Sequence, residues 1–260
     1  MSRMESNDLK VREAAFEEMR GLMFDGEFYD FPDYPGVLNR FFARYPDQAE
    51  RVKLGLIQLL TKENSVFMDP NTAPGTYTED DSEHYASVIG LVSDLEDERS
   101  VPALVGAITT GGMAERGLLK YGQKALGPVL NQLNSPDPLM RSEALSMSVT
   151  LLLRQNDSAS HAKIIALIGS ALQDQEFVSR MAAIQSIERL DDADRISFVP
   201  TLKELAEHDP VNLPGKPDDG GDGGKFYPLR QHARRLLRMI ANQEHPLVDK
   251  GLSSDQTSLH

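Results

Sequence analysis

The chain contains no cysteine and no tryptophan. Without cysteine there is no disulfide, no thiolate nucleophile and no thiolate-ligated metal. Without tryptophan, one common anchor for interfaces and for base stacking is missing. Long apolar runs are missing too: no stretch approaches the ~20 apolar residues that a membrane-spanning helix needs. The opening residues, Met1-Ser2-Arg3-Met4-Glu5-Ser6-Asn7-Asp8, hold no apolar core of a secretion signal. These absences point to a cytoplasmic protein without membrane contact. Basic residues are scarce, 27 Lys and Arg against 40 Asp and Glu, for a net charge of −13. General nucleic-acid binding rests on cationic neutralisation of phosphates and is therefore not expected. Neither a His-Glu-x-x-His pair nor a Gly-x-x-x-x-Gly-Lys-Ser/Thr loop occurs. No catalytic residue, metal or cofactor is expected.

What charge there is falls unevenly. Asp69 to Glu98 carries nine acids and no Lys or Arg, whereas Lys225 to Gln243 carries five basic residues and no acid. Opposite local potentials permit head-to-tail association, but the overall acidity repels copies of the chain and predicts a monomer at physiological salt.

Periodicity is that of helices. Apolar faces predict helices over about 8–24, 48–62, 80–95, a segment opened by Ser100-Val101-Pro102 and ended by Gly111-Gly112, 113–121, 138–154, 160–173, 175–190, 194–207 and 228–242. A unit recurs among them. Leu139-Met140-Arg141-Ser142-Glu143-Ala144-Leu145 lines up with Phe177-Val178-Ser179-Arg180-Met181-Ala182-Ala183 and with Pro228-Leu229-Arg230-Gln231-His232-Ala233-Arg234. Small residues recurring at such spacing, each unit after a polar break, are the mark of stacked repeats that cannot bury their faces alone.

The run from Tyr121-Gly122 through Ala125-Leu126-Gly127-Pro128-Val129-Leu130, Leu133, Asp137, Met140-Arg141 and Ala144-Leu145 resembles HEAT repeats, particularly the short bacterial type first noted in phycobilin lyases. The resemblance covers about 80–242. It implies an all-α, right-handed α–α superhelix, with residues 1–78 as a divergent N-terminal helical cap, 79–243 as the repeats and 244–260 as a flexible tail. The Arg of the motif stands at Arg141 and Arg230, with Ser179 in its place between them. Members of this family include scaffolds, bilin lyases and repair glycosylases, so an enzyme on a HEAT-like frame is the alternative to a binding scaffold.

Two segments carry candidate binding residues. Arg230, Arg234 and Arg238 recur every four residues and form one stripe on the last helix. They either make an anion-binding ladder or, the reading preferred, pair with Glu188, Glu204 or Glu207. Phe28, Tyr29, Phe31 and Tyr34 lie among carboxylates in Asp25–Tyr34. They either seal the first helices or dock a partner with a basic, apolar groove. Glu79-Asp80-Asp81 reads as an acidic helix start rather than a cation site. Asp218 to Gly224 lacks the ligand alternation of a calcium loop, and the whole insertion from Asp209 to Gly224 is read as mobile. The function expected is a non-enzymatic scaffold that binds a macromolecule, a basic protein.

Overall fold

The computed structural model describes residues 2–24, 34–69, 72–73, 75–214 and 225–244. The fold is all-α, with a two-stranded ribbon of four residues as its one sheet among the described residues. The chain divides into two compact units, residues 1–160 and 161–260.

In the first unit, α1 (Leu9–Met23) starts at Asp8, whose carboxylate accepts from the Lys10 N–H at 2.9 Å. After α2 (Tyr34–Arg44), Pro46 opens α3 (Pro46–Phe67), where its missing N–H costs nothing. Thr78 and Asp81 form a reciprocal capping box on α4 (Glu79–Ser93). Next come α5 (Val101–Gly106), α6 (Gly112–Tyr121), α7 (Gln123–Asn131) and α8 (Pro138–Leu153). Gly111 and Gly122 bound α6 with φ of 83° and 53°, backbone that favours glycine. Gly112 thus begins α6, whereas the sequence reading placed it at the end of the preceding helix. Phe16, Leu38, Leu56, Leu60, Ile89 and Leu104 are among the fully buried side chains. Phe67 stacks on Tyr85, with centroids 4.5 Å apart, and the Tyr85 hydroxyl donates to Asn64 Oδ1 at 2.7 Å.

A charged network lies inside this core. Arg12 and Glu63 are both inaccessible to solvent and meet fork to fork, at 2.6 and 2.7 Å. His84 Nε2 lies 3.3 Å from Glu63, and its ring meets the edge of Phe16. Burial alone would raise the Glu63 pKa, but Arg12 and His84 outweigh it and hold the carboxyl below its ordinary value.

The second unit holds α9 (Ser158–Ala171, from His161 onward), α10 (Phe177–Ile187), α11 (Asp192–Ile196), α12 (Val199–His208) and α13 (Pro228–Glu244). The single helix expected over 194–207 is two, because Pro200 has no N–H to give to the carbonyl four residues back and stands instead in the first turn of α12. β1 (Leu213–Pro214) pairs antiparallel with β2 (Lys225–Phe226). Packing of α13 on α12, α10 and α11 buries Leu229, Ala233, Leu236 and Ile240. The insertion does not behave uniformly as its composition suggests. Asp209 is buried against Arg180 at 2.9 Å, while residues 215–224, with the Asp218–Gly224 loop, lie outside the described residues.

One local device recurs in both units. Arg12, Arg141 and Arg180 each turn back to donate to the carbonyl six residues earlier: Ser6 at 2.9 Å, Ser135 at 2.9 Å and Asp174 at 2.8 Å. In each turn a side-chain oxygen two residues before the cap (Ser6, Ser135, Asp174) accepts from the N–H of the cap residue. Three residues after each Arg stands a buried Ala: Ala15, Ala144 and Ala183. This shifts by one residue the match between the two segments that the sequence aligned. The partner of Arg141 is Arg180, not Ser179, and the residue matching Ala144 is Ala183, one place after Ala182. The same turn also opens α1, inside the segment that the sequence reading set apart from the repeats.

Ala182, Ala183 and Ala233 are all buried, as the small-residue pattern requires. Ala183→Leu is expected to overpack the second unit and cost ~1–3 kcal/mol in urea unfolding. Loss of Glu63 is expected to cost more. Glu63→Gln leaves the Arg12 charge buried without its counter-ion, at ~3–5 kcal/mol near neutral pH. A carboxyl with a lowered folded pKa contributes stability that is complete above its unfolded value of 4.5 and is lost as pH falls through the folded value. Stability of the parent should therefore fall more steeply below that pH than that of Glu63→Gln.

Candidate functional site

The sequence-predicted stripe on α13 separates into two kinds of arginine. Arg230 is half-buried, donates through Nε to the Asp209 carbonyl at 2.7 Å and lies over the Tyr227 ring at 4.2 Å. Its role is to fasten the insertion to α13. Arg234 and Arg238 are exposed and have no carboxylate partner among the described residues. The pairing expected with Glu188 is made by Arg235, a residue outside the stripe. Phe28, Tyr29 and Phe31 lie outside the described residues. Tyr34 opens α2, with its side chain likewise outside the description.

Carboxylates on α4 form a second surface. Asp81 already caps the helix, and its pKa is lowered, first by Lys10 and then by Thr78. Glu79, Asp80 and Glu83 are exposed, occupy one sector of the helix and have no ion-pair partner among the described residues. The acidity is concentrated in the same unit. Residues 1–160 hold 25 Asp and Glu against 15 Lys and Arg, a net of −10, and residues 161–260 hold 15 against 12, a net of −3.

A cleft of about 360 Å³ opens on α6, lined by Gly112, Glu115, Arg116, Leu119, Lys120 and Arg154. The five α6 residues are spaced i, i+3, i+4, i+7, i+8, which is one face of a helix. The opposite face, Ala114, Gly117 and Leu118, is buried. Gly117 fixes that orientation: a Cβ there would lie 2.8 Å from Ser93 Oγ and 2.9 Å from Leu104 Cδ1. Asp94, itself buried, binds Lys120 and lies 3.5 Å from Arg116, so one hidden carboxylate holds both cations in place. Arg154, at the end of α8, donates to the Leu119 carbonyl at 3.3 Å. Glu143 has a raised pKa, through burial first and then through the charge of Glu115. Sequence reasoning missed this cleft. Its signal was the i, i+4 pair Arg116 and Lys120 on a short helix, while Arg154 comes from elsewhere in the chain.

In the second unit, a cleft of about 320 Å³ is lined by residues that include Arg180, Glu204, His208 and Asp209. Arg180 and Asp209 pair with each other within this lining, which also holds Asp174 and Glu204. His161, Asp191 and Asp194 bring three donor atoms within 4.8 Å of one another. Two of these groups have a structural role already: Asp191 caps α11, and Asp194 Oδ2 accepts from His161 Nδ1 at 2.8 Å. Comparison with protein-family models, with curated proteins and with solved structures finds no match.

Proposed function

We propose that the chain is a cytoplasmic, non-enzymatic binding scaffold, monomeric at physiological salt, whose partner is a basic protein. On this reading its helices stack as HEAT-like pairs in a right-handed superhelix. The recurrence of the turn, the reaching arginine and the buried alanine in α1, α8 and α10 supports that repeat architecture. The arrangement suits an extended surface better than a dedicated reaction centre.

The observation that carries the choice of partner is the sector Glu79, Asp80, Glu83. The capping of α4 is already complete through Thr78 and Asp81. Three further carboxylates at the same helix start raise the local negative potential beyond what the helix dipole calls for. Exposed and without an ion-pair partner among the described residues, they are placed to steer a cationic surface and to exclude an acidic one. Nucleic acid, a polyanion, is a poor fit to a unit of net charge −10.

The test is affinity purification from native extract with the full chain and, in parallel, with Glu79→Lys/Asp80→Lys/Glu83→Lys. The wild-type chain should retain a protein of high isoelectric point that is released as salt rises, and the triple variant should lose it while its melting temperature is unchanged. Equal retention by the charge-reversed chain would contradict the reading.

A further inference from the structure

We propose that the cleft on α6 binds a small phosphate ester, a ligand distinct from the protein partner of the acidic surface. In a unit that is otherwise strongly acidic, three cationic side chains converge here from two helices. Arg116 and Lys120 are pre-positioned by buried Asp94, and Arg154 is steadied by the Leu119 carbonyl. Cations held in place before binding lose less side-chain freedom when an anion arrives. Arginine offers a planar fork and lysine a compact charge, and together they suit the oxygens of a phosphate group. Counting Asp94 with the lining Glu115, the three cations leave the cleft with one positive charge in excess.

The order of residues along α6 also gives the ligand a direction. Arg116, Leu119 and Lys120 occupy the C-terminal part of the stripe, with Arg154 beside Leu119. Gly112 and Glu115 occupy the N-terminal part. No side chain caps the first turn of α6, and nothing lies within 4 Å of where a Cβ on Gly112 would be, so backbone there is open to a ligand. The phosphate belongs at the cationic end and a hydroxyl-bearing body at Glu115, which can accept its hydrogen bonds. A volume of about 360 Å³ is at the small end of ligand pockets and suits a metabolite rather than a polymer.

Isothermal titration of the full chain at fixed ionic strength tests this, with ribose 5-phosphate and inorganic phosphate as probes. Saturable one-site binding of ribose 5-phosphate is expected, weaker by about tenfold or more in Arg154→Gln and in Lys120→Gln, the range for a lost hydrogen bond to a charged group. Glu115→Gln should weaken ribose 5-phosphate and leave inorganic phosphate unchanged. Lys203→Gln, an exposed cation in the other unit, should leave both unchanged, and melting curves should show each variant folded. Heats that do not saturate, or affinities equal in Arg154→Gln and the parent, would overturn the proposal. So would tight binding of heparin with no binding of ribose 5-phosphate, since that pattern belongs to a polyanion surface. Loss of the protein partner in the α4 variant with ribose 5-phosphate binding intact would separate this site from the scaffold reading.

Discussion

Much of this structure depends on a buried or half-buried arginine that bends back to the turn before its own helix. A helix entering a packed core brings with it loop carbonyls that have lost water and need donors. An arginine one turn into the helix supplies several donors in a fixed fork, so a single side chain can satisfy the loop and hold the angle at which the chain enters. Arg180 shows the full use of that fork: Nη1 serves the Asp174 and Gln175 carbonyls, while the rest of the guanidinium takes Asp209 at the C-terminal end of α12. The alanine three residues later completes the device, because only a small side chain fits where the next helix approaches.

The same economy governs charge. Each of these buried acids is matched to a cation or to two: Glu63 with Arg12, Asp209 with Arg180, Asp94 with Lys120 and Arg116. A buried charge left without its partner would be costly, so these pairs are closed. Outside, the unmatched groups are sorted by place: carboxylates at the start of α4, and Arg234 and Arg238 along α13. The α6 cleft lies between these regimes, since Arg116 and Lys120 are anchored by a hidden carboxylate yet line an open cleft. That combination makes it a site rather than a packing device.

Much of the fold could be read from local chemistry. Glu79-Asp80-Asp81 and Ser100-Val101-Pro102 each announced a helix start, and the small residues Ala144, Ala182 and Ala233 announced close helix approach. The match between the α8 and α10 segments could not be read this way. Aligning apolar residues put Ser179 opposite Arg141, and only the hydrogen bond to a carbonyl six residues back identifies Arg180 as its counterpart. The break between α11 and α12 was missed because the apolar residues Ile196, Phe198 and Val199 run across it, while Pro200 lacks the N–H that would continue α11. Long-range pairs carry no sequence signal at all. Glu63 is 51 residues from Arg12, and Arg154 reaches a carbonyl 35 residues away. For the same reason the stripe on α13 looked uniform, although Arg230 is drawn to the Asp209 carbonyl across the insertion.

The most direct test of the arginine device is native-state hydrogen exchange on Arg180→Lys, which keeps the charge and removes the fork. The account predicts that protection falls by about tenfold or more, as for a lost charged hydrogen bond, in the first turns of α10 and around Val211. Residues 1–160 should exchange as in the parent. Exchange at α10 that is unchanged, or a loss spread evenly over the chain, would contradict the claim that this arginine holds its own turn.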